Sequence, residues 1–181
     1  MITQPRLIER LAAATQPVDW DAVFTALLPK VYRYFCYRVG AGPLAEDLTA
    51  TTFEKAWTKR MRYRQDLSSF TTWVFTIARN VATDHFRTAR ATAPLADAEA
   101  APADVLSPEA VFEQREHFAR LAQHIGQLPE REQEILALKY GAGLGQQEIA
   151  NLTGLTASHV GVIVHRAVKQ LRSTLEADDE R

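Results

Sequence analysis

The sequence predicts an all-α protein of two small helical domains joined by an acidic linker, the second domain a helix-turn-helix. Three observations carry this prediction. Apolar residues recur at the three-to-four-residue spacing of buried helical stripes in both halves of the chain. Between the halves, residues 91–109 are rich in Ala, Pro and Asp and have no periodic apolar face, as an extended connector requires. Further on, Ala150, Gly154, Leu155 and Val160 stand where two crossing helices and a three-residue turn need a small residue, a glycine and two apolar anchors.

Composition narrows the function classes. The chain has 181 residues, 46% hydrophobic and 24% charged, the make-up of a soluble globular protein of one domain or two small ones. No apolar run approaches the roughly 20 residues that span a bilayer, so a membrane partner is not expected. Glu9 and Arg10 interrupt the N-terminal stretch where a signal peptide needs an apolar core, so the chain is expected to stay in the cytoplasm. The single cysteine, Cys36, forms no internal disulfide and offers no Cys pair for zinc; among Tyr34, Phe35 and Tyr37 it reads as a small buried hydrophobe. Net charge is -1 but unevenly spread. Lys30 to Arg90 holds eleven Lys and Arg against five acids, Ala91 to Glu116 one Arg against six acids, and Ala157 to Leu175 three basic residues and no acid. Basic, acidic, basic is the order expected of two nucleic-acid-facing modules held apart by a segment that does not bind duplex DNA.

Residues 1–18 read as an N-terminal extension ending near Pro17. Asp19 or Asp21 can start the next helix, whose inward positions are Val23, Leu27, Leu28, Val31, Tyr34 and Phe35, with a kink or restart expected at Pro29. Gly40, Gly42 and Pro43 break the chain. A second helix from about Leu44 is expected to turn Leu48, Phe53, Ala56 and Trp57 inward; Glu46 and Asp47 outside complement its dipole as readily as they would meet a partner. Lys59 to Arg64 then alternates charge with the neighbouring rings of Trp57, Tyr63 and Phe70, which suits a single-stranded nucleic acid but also a solvated basic patch.

Ser68 or Ser69 can cap the long helix FTTWVFTIARNVATDHFR, Phe70 to Arg87. Phe70, Trp73, Val74, Ile77, Ala78 and Val81 form its core stripe. Thr72, Thr76, Arg79, Thr83 and Arg87 form another face, with hydroxyls and guanidiniums and no carboxylate. That face suits phosphates, and equally an ordinary solvated side. Helical signals return at Pro108, with Val111, Phe112, Phe118, Leu121, Ala122 and Ile125 apolar, and Leu128-Pro129 marks another start before a helix ending ahead of Gly141. Gly141 to Gly145 follows a helix rather than a strand, which argues against a phosphate-cradling loop. In the helix-turn-helix, the second helix from about Ala157 places Ser158, His159, Gly161, Val162 and His165 toward base edges in a major groove, and Arg166, Lys169 and Arg172 toward phosphates.

In this order the motifs resemble a bacterial RNA polymerase sigma factor of the extracytoplasmic-function group of the sigma-70 family. AEDLTATTFEKAW, Ala45 to Trp57, is similar to that family's polymerase-clamp-binding helix. FTTWVFTIARNVATDHFR is similar to its helix that recognises and helps melt the -10 element. LPEREQEILALKYGAGLGQQEIANLTGLTASHVGVIVHRAVKQLR is similar to its helix-turn-helix for the -35 element. The resemblance implies that residues 19–90 are sigma region 2 and 110–175 sigma region 4, followed by an acidic tail, 176–181. It implies core RNA polymerase and promoter DNA as partners, allows for an anti-sigma factor, and requires no cofactor, metal or catalytic residue. Asp47, Leu48, Thr52 and Phe53 would dock the polymerase clamp. Arg60, Arg62, Tyr63, Arg64, Arg79, Asn80, Thr83, Asp84 and Arg87 would lie near the opened strands, and the acidic linker would thread toward the polymerase active-site and RNA-exit paths. The chain departs from the family where Gly161 and Ile163 replace residues that are often basic, so the -35 element is expected to be read by close backbone approach and by Val162 on thymine methyls.

Two other readings compete. A stand-alone helix-turn-helix regulator would not need the run Lys59 to Arg64 ahead of the Phe70 helix. An enzyme working through Asp84 and His85 finds no support in the spacing of His85, His117, His124, His159 and His165, which fits no metal site.

Overall fold

A computed structural model describes residues 19–92 and 120–179. The N-terminal extension, residues 93–119 of the linker and the helix expected after Pro108, and the last two residues lie outside the described residues. The described residues form helices and turns without a strand. Helix α1 spans Trp20–Val39, α2 Pro43–Thr58 and α3 Phe70–Thr92; α4 covers 120–126, α5 Glu130–Leu136, α6 Gln146–Thr153 and α7 Ala157–Asp179.

Helix α1 begins where Asp19 accepts a hydrogen bond from the Ala22 N–H at 3.1 Å, satisfying one donor of the first turn. It runs through Pro29 instead of restarting there. Leu27 on one side of the proline and Val31, Tyr34 and Phe35 on the other are all buried, and their packing outweighs one lost backbone bond. Gly40, at φ 84°, ends α1, and Pro43 opens α2 at the position where a missing N–H costs least. In α2, Leu48, Phe53 and Ala56 face inward as expected, but Trp57 is 54% exposed. It stands one residue beyond Ala56, about 100° round the helix, where it meets the edge of Trp20 at 6.0 Å and the Arg60 guanidinium instead of the core.

Ser69 caps α3 by accepting from the Thr72 N–H at 3.2 Å. The buried set of α3 is wider than one stripe: Val74, Phe75, Ile77, Ala78, Val81 and Ala82 are all enclosed. The reason is that α3 packs on α1 and α2 and also on α6. Helix α5 starts after Pro129 as expected, but continues as a π turn, Ala137–Gly141, closed by the Ala142 N–H on the Ala137 carbonyl at 2.9 Å. Helix α7 likewise passes the expected boundary at residue 175, and Asp178 in the supposed tail lies 3.0 Å from Nε2 of His124.

The two domains pack against each other. Residues from both share the main hydrophobic cluster, among them Tyr34, Phe75, Ile135, Leu138 and Ile149. Along the seam Arg33 donates to the Gly141 carbonyl at 3.3 Å, Arg38 donates to the Glu130 carbonyl at 3.2 Å, and Arg38 also lies 4.6 Å from the Phe86 ring centre. A Cβ at Gly141 would come within 2.8 Å of the Arg33 carbonyl oxygen, so only glycine allows this approach. Burial pushes the ionisation of the Tyr34 phenol, fully enclosed at this seam, far above its ordinary value. Phe75 is fully buried between the layers, so Phe75→Ala should cost about 3–5 kcal/mol of unfolding free energy in urea titration.

Candidate nucleic-acid interface

Two surfaces offer groups to nucleic acid. The first starts from an aromatic cluster: Tyr63 packs on Phe70 and Trp73 at 5.0 and 5.3 Å, and Trp20 packs on Phe70 at 5.1 Å. These contacts fix the short 3-10 turn Arg60–Arg62 and the loop after it against α3. The Tyr63 hydroxyl donates to the Ser68 carbonyl, and desolvation raises its pKa, so it remains a neutral donor. Tyr63 is therefore largely a structural ring. Arg60 lies 4.1 Å over the Trp57 ring, presenting an exposed aromatic and a guanidinium as one unit. Arg62 is exposed. Arg64 is held by Asp66 in a two-pronged pair at 3.0 and 2.7 Å, which keeps the Asp66 carboxyl below the usual carboxylate range.

Beside this edge, α2 and α3 leave a polar cleft of about 290 Å³ lined by Lys55, Lys59, Ile77, Asn80, Thr83 and Asp84. Asp84 is flanked by Lys55 at 3.8 Å and Arg87 at 3.0 Å. Its charge is thereby offset, and Asn80 is exposed at the cleft with both amide groups available. The Thr83 hydroxyl donates back to the Arg79 carbonyl and keeps acceptor capacity. Arg79 behaves differently from its expected companions. Its guanidinium reaches the Glu134 carboxylate at 2.8 Å and also donates to the Leu152 carbonyl, so in this conformation it belongs to the seam between the domains.

The second surface is the helix-turn-helix. Glu148 accepts from the Gly145 N–H at 2.8 Å at the start of α6, Gly154 turns the chain at φ 71°, and Thr156 caps α7 by accepting from the His159 N–H. With Val160 and Ile163 buried, α7 exposes Ser158, His159, Val162, His165, Arg166, Lys169 and Arg172. Ile163 is thus a core residue. Gly161 is half-buried, and a Cβ there would meet the Gln146 side-chain nitrogen at 3.2 Å.

The positions expected to dock a polymerase divide sharply. Asp47 is exposed, whereas Leu48 and Phe53 are 8% exposed and Thr52 is fully buried with its hydroxyl on the Leu48 carbonyl. The helical period separated inward Leu48 and Phe53 from outward Asp47, whereas the docking set implied by the resemblance draws on both faces. Its outward face carries Asp47, Ala50, Glu54 and Trp57, and with Phe24 of α1 it borders an apolar hollow of about 420 Å³ that reaches Phe53. Leu28, read as inward, is 39% exposed, and its neighbour Phe24 is 45% exposed. Lys55, which joins Lys59 of the basic run at the cleft, and Gln146, beside Gly161, are not among the residues expected from the sequence; the i, i+4 spacing of the two lysines is the available signal for the first.

An all-helical pair of domains, one with a basic-aromatic edge and the other a helix-turn-helix, is the architecture of a DNA-binding protein. Residues 23–92 match the family described as Sigma-70 region 2, and residues 125–173 that described as Sigma-70, region 4. The chain is 31% identical over 174 residues to the ECF RNA polymerase sigma factor BldN of Streptomyces coelicolor, covering 95% of this chain and 66% of BldN. It is 30% identical over 192 residues to the ECF sigma factor SigD of Mycobacterium tuberculosis, covering 98% and 88%. The solved sigma factor RpoE of Bartonella quintana, in complex with the anti-sigma factor NepR, shares the fold at a TM-score of 0.70 and 22% identity, covering 88% of this chain and 98% of that one. The chain therefore belongs to the sigma-70 family, among its extracytoplasmic-function sigma factors. Its role is promoter recognition at the -35 and -10 elements and the start of transcription, with core RNA polymerase and promoter DNA as partners. Region 2 disfavours a stand-alone regulator. No helix among the described residues is long and apolar enough to cross a membrane.

Gly161→Lys should be accommodated by a shift of the flexible Gln146 side chain and should add one phosphate contact. Promoter-fragment binding should tighten, lose selectivity and acquire a log-log salt slope steeper by about 0.9, read by anisotropy at several salt concentrations.

Proposed function

We propose that this chain is a non-enzymatic, cytoplasmic specificity subunit whose sites divide as follows. The cleft walled by Lys55, Lys59, Asn80, Thr83 and Asp84 receives an unstacked base of the -10 element, and Arg60, Arg62, Arg64 and Arg87 follow the opened backbone. The single observation that carries this reading is that cleft: a polar hollow walled by two lysines, an exposed asparagine and a carboxylate already offset by Lys55 and Arg87. Binding a base there offsets part of the cost of unstacking it and needs no hydrolytic group. Ser158, His159, Val162 and His165 face the -35 element, with Gly161 permitting close approach and Arg166, Lys169 and Arg172 on the phosphates.

The polymerase clamp docks on the outward face of α2. Asp47 supplies charge there, while Trp57, Phe24 and the hollow above Phe53 supply apolar area. Leu48, Thr52 and Phe53 support this face from beneath. The expected boundaries 19–90 and 110–175 enclose these sites. An anti-sigma factor, like that bound by the RpoE neighbour, is included among the proposed partners.

Two outcomes test the division. Asn80→Ala should leave core polymerase binding intact and lower promoter opening about three- to tenfold, the loss of one hydrogen bond, as scored by permanganate reactivity. Normal opening would remove Asn80 from the site. Trp57→Ala should weaken core binding by about 2 kcal/mol, the loss of a buried aromatic anchor, while the isolated chain keeps its unfolding midpoint within error.

A further inference from the structure

Helix α7 carries a glycine in the middle of its outward side. Gly161 lies between Ser158 and His165, three residues before it and four after, the spacing that shares one helix face, and both of those side chains are exposed. Glycine inside a helix is less stable than alanine, so a bare position here has a cost. What fills the space comes from the preceding helix. A Cβ at Gly161 would stand 3.2 Å from the Gln146 side-chain nitrogen, 3.8 Å from its amide carbon and 3.9 Å from its amide oxygen. The whole amide therefore lies against the bare backbone of α7, where a side chain at 161 would otherwise be.

Gln146 is the first residue of α6 and is exposed. The two residues after it are used locally: Gln147 donates to the Asn151 side-chain oxygen at 3.1 Å, and Glu148 accepts from the Gly145 N–H at 2.8 Å. The Gln146 amide has no hydrogen-bond partner among the described residues. It keeps an acceptor oxygen and a two-donor nitrogen in one plane. That is the group that matches the adenine edge in a major groove, the oxygen accepting from N6 and the nitrogen donating to N7. Ser158, Val162 and His165, its neighbours on this face, cannot make such a two-pronged match.

We propose that Gln146, on the first helix of the helix-turn-helix, is a specificity-determining residue for the -35 element: it reaches across Gly161 and reads the adenine of one A·T pair. The inference rests on the reading of α7 as the groove-entering helix. Gly161 lets α7 come close to the bases, and Gln146 supplies the hydrogen bonds that position 161 itself lacks. Both helices of the motif then share in reading sequence.

The test uses the full chain bound to core RNA polymerase, on duplexes randomised across the -35 element, with the bound sequences counted. The wild type should prefer A·T at one position by about five- to 100-fold, the discrimination of one two-pronged amide contact. Gln146→Ala should lose that preference, keep the preferences at the other positions and leave the salt slope unchanged, because no charge is removed. Gly161→Ala presses a Cβ against the amide and should relax the same position, and the double variant should be no worse there than Q146A alone. Gln146→Glu, which can only accept, should move the preference at that position from adenine to cytosine. His159→Ala, on α7 itself, separates two kinds of failure. A changed profile with H159A and an unchanged one with Q146A overturns the role of Gln146 alone, whereas two unchanged profiles overturn the reading of α7 with it. Equal weakening of every sequence by Q146A marks a phosphate contact and also overturns the proposal.

Discussion

Everything in this molecule depends on one helix having three neighbours. Helix α3 fills the core of the first domain with Val74, Ile77, Ala78 and Val81, meets the second domain with Arg79, and still leaves Asn80, Thr83 and Arg87 in solvent. A helix packed on one side only would show a single apolar stripe and a wide polar face. Here the polar face is narrowed to a strip, and the proposed place of the unstacked strand is that strip. The aromatic cluster of Trp20, Tyr63, Phe70 and Trp73 serves the same helix from its N-terminal end by fixing the loop that carries the arginines.

Rigidity and availability are thereby separated. Rings that would be expected to stack on bases, Tyr63 and Phe70, are engaged with each other and with Trp73. Trp57 is exposed, held by the Arg60 guanidinium over its ring and by the edge of Trp20. Charge is handled in the same way. Asp66 and Asp84 do not repel DNA as isolated carboxylates would, because Arg64 in one case and Lys55 with Arg87 in the other lie against them. In the second domain, Gly154 and the caps at Gly145 and Thr156 set the crossing of α6 and α7, so the exposed side of α7 is determined by turn chemistry rather than by its own composition.

Much of this was legible in the residues because it follows from local chemistry. Asp19, Ser69, Pro43, Pro129 and Gly154 act where caps and turns of those types belong, and the order of motifs carried the family. Tertiary contact decided the rest. Pro29 signals a break, yet the burial of its neighbours holds α1 together. Thr52 and Trp57 lie on the same helix with opposite polarity, and the polar residue is the buried one, because a threonine hydroxyl can satisfy itself on the preceding turn whereas the Trp57 position points out of the core. Arg79 has the spacing of a phosphate contact, and only the position of α5 and α6 reveals the carboxylate that occupies it.

The central claim is that one chain directs polymerase to a promoter and opens it through α3 while α7 holds the -35 element. The most direct measurement is reconstitution of the full chain with core RNA polymerase on a promoter library, following transcripts and strand opening together. The account predicts selective initiation and opening that core polymerase alone does not show. Tight duplex binding with no change in what the polymerase transcribes would contradict it.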